Sequence, residues 1–319
     1  MRAIERIQNP RDCRSVGYDI HVGHYAGLGS QLHVAGRRML GANTHGRVFI
    51  LNHETDTLLG AGFTASQTFC EESGVHGFEC YFQTLSNCTE YGSSAEAESV
   101  EISGRKLTGN RDRLAPLKDH TDFQGITSNT KESVRLQRAY ATEYMLRPNT
   151  RFQHKLELMY SQVFDAGVVP PKLISVNIRW GDKWSEMLLN PIERYVGTVA
   201  DLVRLHYNKD EAVIVFLQTW EQDAHDHFHR LSPKAWDVRS FAFDRSLNPH
   251  DTEGARSPNS TTISLCSMYI AADAMFHVGT RDSNWDRLID ELRITRGFHR
   301  PSSLMVDLSE SGGDMRDNP

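Results

Sequence analysis

The stretch LISVNIRWGDKWSEM, from Leu173 to Met187, places Arg179, Asp182, Lys183 and Glu186 directly behind a short apolar run. The types suit chemistry on a phosphorylated substrate. An arginine presents a planar fork that binds oxyanions such as a diphosphate through two bonds at once. Lys183 adds a second positive charge. Glu186 is suited to take a proton from a hydroxyl, and Asp182 to orient Lys183 or cap the turn that follows. Trp180 and Trp184 offer flat faces of the kind that pack on a sugar or a nucleobase. The plain alternative is a solvated loop whose charges keep the strand soluble.

Two further stretches share the logic. HYAGLGSQLH, from His24 to His33, sets Gly27, Gly29 and Ser30 before a helix. FHVGTRDSNWDRL, from Phe276 to Leu288, ends a strand in Gly279-Thr280 and opens a helix at Asp282-Ser283. Backbone N–H groups at such helix starts attract anions, and the Ser and Thr hydroxyls are expected to be available to a phosphate. The lysine of a nucleotide-binding P-loop is missing, so Gly-x-Gly here is a weak signal by itself.

Elements must hold these residues in place. Short β-rich runs are expected at Arg47–Leu51, Leu173–Arg179, Ala212–Thr219, Val238–Phe243 and Met275–Thr280. Helical patterns fall at Ser30–Ala42, Val134–Leu146, Arg151–Phe164, Pro191–His206, Ser260–Ala274 and Ser283–Leu292. Strand–helix alternation implies parallel α/β sheets, whose ligands bind beyond the carboxyl ends of strands. Cys70–Thr130, rich in Ser, Gly, Thr, Asn and Glu, reads as long loops overhanging a cleft. The pattern is broken near Arg147-Pro148 and Val169-Pro170-Pro171. The expected organisation is an N-terminal α/β domain over 1–147, a nucleotide-sugar-binding domain over 148–300 and a disordered tail over 301–319.

The chain has 319 residues and a formal net charge of −6, against a general nucleic-acid binder. No run reaches the roughly 18–20 apolar residues of a membrane span. The N-terminus lacks a signal-peptide core, so the chain is expected to be truncated or part of a longer precursor. His225, Asp226, His227 and His229 read as a surface helix, since adjacent ligands splay apart. No metal constellation is expected. Five cysteines occur without a C-x-x-C pair. Cys80 and Cys88 enclose a short loop, Cys13 could meet Cys70, and Cys266 falls in an apolar helical run. With sequons at Asn259 and Asn87, they lean toward the secretory pathway, the Golgi lumen, with the cytoplasm as the alternative.

Taken in order, these stretches resemble the α1,6-fucosyltransferase family. IQNPRDC and GLGSQLH resemble its Asn-Pro-x-Asp-Cys and Gly-x-Gly-Cys-Gln-Leu-His opening. EYMLRPNTRF is similar to its Leu-Ile-Arg-Pro helix end. NIRWGDKWSEMLLNPIERYV resembles its His-Val-Arg-Arg-x-Asp-Lys strand end and the Pro-Ile-Glu-x-Tyr helix beyond. FHVGTRDSNWDRL resembles its Val-Cys-Thr-x-Ser-Ser-Gln segment. The likeness covers most of residues 1–295.

The resemblance implies a GT-B-like α/β fold, two Rossmann-like domains facing a cleft, and an inverting, metal-independent transfer needing no cofactor. The donor would be a nucleotide sugar, GDP-fucose, and the acceptor a GlcNAc-containing oligosaccharide. Arg179 falls on the family's diphosphate-binding arginine, Lys183 and Glu186 on residues around acceptor activation, and Ser283 on a serine at the donor phosphate. Cys13 and Cys70 fall on a disulfide pair, leaving Cys80–Cys88 as the second bridge. The family's histidine is Asn177 here, its second arginine Trp180, its strand-end aspartate Trp220, and a guanine-reading aspartate falls at or near Cys266. The expected catalytic set is Arg179, Lys183 and Glu186. The expected donor-binding set is Arg179, Asp182, Asn177, Trp220, Thr280, Ser283 and Gly29. The departures leave open a different nucleotide-sugar donor, or a catalytically silent sugar-binding protein.

Overall fold

The computed structural model describes residues 1–21, 27–51, 67–88, 131–165, 167–180, 188–243, 259–296 and 305–309. The chain divides into two compact units, Met1–Phe152 and Gln153–Asp317.

In the first unit, α1 (Arg2–Gln8) precedes β1 (Tyr18–His21), α2 (Leu28–Thr44) and β2 (Val48–Leu51). The strands pair in parallel, Tyr18 opposite Val48 and His21 opposite Leu51, with α2 as the crossover. The first turn of α2 begins at Leu28, so Gly29 lies inside the helix and Gly27 is its N-cap. Beside it, Arg38 Nη1 lies 2.8 Å from His21 Nδ1. Burial raises the Asp19 carboxyl above its usual range, and the Arg38 charge opposes that rise. A short helix, α3 (Thr68–Glu71), and the helix α4 (Lys131–Met145) complete the unit with the start of α5 (Thr150–Val163).

The disulfides are Cys13–Cys88 and Cys70–Cys80, which corrects the expected Cys13–Cys70 and Cys80–Cys88 pairs. Topology decides the pairing. Cys88 packs on β2 against Val48 and Ile50, where Cys13 also arrives. Cys70, on α3, meets Cys80 beside the stacked rings of Phe69 and Tyr81. Cys266 is free and buried, as expected, and burial pushes its thiol pKa up. Non-reduced peptide mapping should recover a Cys13–Cys88 pair. Because that bridge closes a 75-residue separation, its loss should cost on the order of 4 kcal/mol, read as a lower melting temperature on reduction. A recovered Cys13–Cys70 peptide would overturn this arrangement.

The second unit is a doubly wound parallel sheet. Its strands are β3 (Ile174–Asn177), β4 (Val213–Gln218), β5 (Trp236–Arg239), β6 (Phe276–Gly279) and β7 (Met305–Asp307), in spatial order β5-β4-β3-β6-β7. All pairings are parallel. The connecting helices are α6 (Ile192–His206), α7 (Gln222–Leu231), α8 (Ser260–Asp273) and α9 (Asn284–Arg296). Apolar residues drive the packing. On α6, Ile192, Tyr195, Val199 and Leu202 recur at helical spacing and bury one face. They pack with Ile174, Val176, Val215, Leu217 and Val278 of the sheet. Arg204 and His206 sit in the last turn of α6, where positive charge opposes the helix dipole.

Met305–Asp307 belongs to the stretch expected to be a disordered tail, and it forms the edge strand β7 instead. Leu308 anchors it: its N–H donates to Gly279 O at 2.8 Å, and its side chain joins the core. Among the described residues no helix is long and apolar enough to cross a membrane.

Candidate active site

The strand order turns round between β3 and β6. From β3 the chain winds outward through β4 to β5, then returns to lay β6 and β7 on β3's other side. At such a switch point the loops leave neighbouring strand ends in opposite directions and open a crevice where ligands of doubly wound sheets bind. The strand ends at this point run from Asn177 to Trp180 at β3 and from Gly279 to Ser283 at β6.

Arg179 stands there, half-buried, two residues beyond the end of β3. Ile178 is buried beneath it and donates its N–H to Gln218 O at 2.9 Å, carrying strand pairing to the edge of the site. Arg179 Nη1 donates to Trp180 O at 2.9 Å. Trp180 is not the open platform expected: it packs on the core and its Nε1 donates to Asn190 O at 2.9 Å. An indole that buries its ring while satisfying its N–H braces the turn carrying the arginine. Trp220, past the end of β4, packs its ring against Phe243 at 4.4 Å. Asp182, Lys183, Trp184 and Glu186 lie outside the described residues. Gly29 belongs to the other unit.

Thr280 and Ser283 lie at the switch point with buried side chains, at 0% and 1% exposure. The four amides of this turn are all taken within the protein. Thr280 N donates to Asp286 Oδ2, Arg281 N to Asp307 Oδ1, Asp282 N to Thr280 Oγ1 and Ser283 N to Thr280 O. Two carboxylates hold the turn from below, so it offers a ligand a rigid wall more than free donors, where the sequence suggested hydroxyls open to a phosphate.

Beneath both turns lies a polar chain that sequence reasoning missed. Gln218 Nε2 donates to Ser175 Oγ at 2.9 Å, and Ser175 Oγ lies 3.2 Å from His277 Nδ1. His277 Nε2 lies 3.0 Å from Asp286 Oδ1, which also accepts from Asn177 Nδ2 at 2.9 Å. Ser175, His277 and Asp286 have the composition of a hydrolase triad. All three are sealed from solvent, so Ser175 cannot meet a substrate. The available signal was a polar residue inside each apolar strand, Ser175, Gln218 and His277. In a sheet covered on both faces such residues need partners. Burial, reinforced by the Asp286 charge, also raises the pKa of the Tyr195 hydroxyl.

The carboxylate comes so close that β6 must end in glycine. A Cβ on Gly279 would sit 2.4 Å from Asp286 Oδ1 and 2.8 Å from its Cγ. Gly279→Ala should therefore cost about 2–3 kcal/mol of stability through overpacking, measured from denaturant midpoints. A wild-type midpoint would place the Asp286 side chain elsewhere.

On α7, His225 Nδ1 lies 3.1 Å from Asp226 and His227 Nε2 lies 3.5 Å from Glu193. These are partly exposed histidine–carboxylate contacts on the surface helix the spacing implies. Among the described residues no group of three or more His, Cys, Asp or Glu is placed to hold a metal.

No family model and no curated protein matches the chain. Solved structures similar to it include fucosyltransferases. Fucosyltransferase NodZ from Bradyrhizobium is 12% identical with a TM-score of 0.47, over 86% of this chain and 92% of that one. NodZ alpha-1,6-fucosyltransferase soaked with GDP-fucose is 13% identical with a TM-score of 0.48, over 87% and 93%. A variant of Arabidopsis thaliana FUT1 in complex with GDP is 11% identical with a TM-score of 0.45, over 91% and 71%.

Proposed function

We propose that the chain is a GT-B-like glycosyltransferase that moves fucose from GDP-fucose to a GlcNAc-containing oligosaccharide, with inversion and without a metal. The observation that carries the reading is Arg179 at the β3 end of the switch point, on a turn braced by Trp180. The ordered motifs from IQNPRDC to FHVGTRDSNWDRL supply the donor and acceptor classes.

In this mechanism Glu186 takes the proton of an acceptor hydroxyl. The freed oxygen bonds to the donor's anomeric carbon while the bond from that carbon to the diphosphate oxygen breaks. Arg179 and Lys183 take up the charge that grows on the departing diphosphate, the role a metal ion plays elsewhere. Fixed charges of this kind need no reorganisation as the bond breaks, which is why they lower barriers strongly. Asp182, Asn177 and Trp220 complete the proposed donor contacts, while the buried Thr280 and Ser283 wall the site. Two disulfides in the first unit favour folding in an oxidising compartment, as in the secretory pathway.

Trp220 and its partner Phe243 favour a second reading, the same fold and reaction with another nucleotide sugar. Calorimetric titration with GDP, UDP and ADP, followed by a turnover assay with GDP-fucose, separates the readings. Tight GDP binding with transfer supports the first, and preference for another nucleoside diphosphate the second. Binding without turnover of any donor leaves a silent sugar-binding protein. Failure of all three nucleotides overturns the transferase assignment.

A further inference from the structure

We propose that Asp286 is a positioning residue that clamps the ends of β3 and β6 together and turns the Asn177 amide so that its oxygen reads a hydroxyl of the donor sugar. This rests on the transferase reading above. The clamp follows from hydrogen-bond accounting. A carboxylate only accepts, so the group 2.9 Å from Asp286 Oδ1 must be the amide nitrogen of Asn177. The second oxygen holds Thr280 N, on the turn after β6. One side chain thus joins the two turns that flank the crevice.

The same rule fixes the next bond: His277 Nε2, 3.0 Å from Asp286 Oδ1, carries a proton and donates to the carboxylate. Behind it, Ser175 Oγ accepts from Gln218 Nε2 and lies 3.2 Å from His277 Nδ1. Three donors meet the buried carboxylate, which repays much of the cost of burying its charge. The bond to Asp286 fixes which way the Asn177 amide is turned, so its oxygen points away from the carboxylate and is the acceptor offered to a ligand. An amide oxygen repels phosphate oxygens and accepts from a hydroxyl. Gln218 stands opposite Asn177 in the sheet register, and its Oε1 is buried without a hydrogen-bond partner among the described residues, a second acceptor at the same strand ends.

The test compares calorimetric binding of GDP and GDP-fucose to wild type, Asn177→Ala and Asp286→Asn. Asn177→Ala should bind GDP-fucose about tenfold more weakly while GDP stays within about twofold. Asp286→Asn should move in the same direction, because a carboxamide no longer dictates which way the Asn177 amide faces. If Asp286→Asn does not fold, Asn177→Ala decides alone. Equal losses for GDP and GDP-fucose, or no loss for either, would overturn the proposal and leave the transferase reading intact. A wild type that binds neither nucleotide sinks the GDP-fucose reading and the ligand half of this one. The clamp is then judged from the ring nitrogens of His277 by 15N NMR. A proton on Nε2 supports it, and a proton on Nδ1 alone overturns it.

Discussion

Arg179→Ala is expected to raise the barrier to transfer by about 2–4 kcal/mol, roughly a 30- to 1000-fold loss of turnover. The guanidinium stands at the carboxyl end of β3, where the strand order reverses. Its turn is held on both sides. Ile178 pairs with β4 through Gln218 O at 2.9 Å, and Trp180 is tied to Asn190 O at 2.9 Å. A cation already positioned spends little free energy on ordering when charge develops on a leaving diphosphate. Arg179→Lys should recover only part of the loss, because a lysine keeps the charge but not the two-pronged fork. Turnover and donor affinity measured on both variants decide the matter. Near-wild-type turnover in Arg179→Ala would make Arg179 a surface charge and move the site elsewhere.

The α/β class was legible because the elements are local. The run at Leu173–Arg179 became β3 (Ile174–Asn177), and the pattern at Pro191–His206 became α6 (Ile192–His206). Each differs from expectation mainly where the ends fray. The strand order was not legible. That β6 lies beside β3, and not beside β5, depends on packing between residues a hundred positions apart. The disulfides failed for a related reason. The short Cys80–Cys88 interval suggested a bridge, but the fold carries Cys88 onto β2 beside Cys13. Edge strand β7 was hidden because its three residues carry too little periodicity to separate from a tail.

The site was legible in part for the same reason. Arg179 announces itself as a charge after an apolar run, a signal carried by neighbouring residues. Asp286 does not. In sequence it is one more acid in the first turn of a helix, where acids are common. Only the fold brings it under both Asn177 and Thr280. Trp180 erred the other way, reading as a ligand face while its indole N–H was needed by Asn190.

Glu186→Gln should lower turnover by about 10²–10⁴-fold while donor affinity changes by less than about tenfold. An acceptor hydroxyl is a poor nucleophile until a base draws off its proton. Glu186 and Asp182 are the acidic residues between Arg179 and the start of α6 at Ile192 able to supply that base. Asp182 stands only three positions beyond Arg179 and is better suited to hold Lys183 against the diphosphate. Glutamine keeps the size of glutamate and most of its hydrogen bonds, so the substitution removes the base and little else. The base touches the acceptor and not the diphosphate, which is why turnover and donor affinity should part company. Measured on one preparation, the pair of numbers discriminates. Unchanged turnover removes Glu186 as the base and turns attention to Asp182. Lost donor affinity reassigns Glu186 to holding the donor.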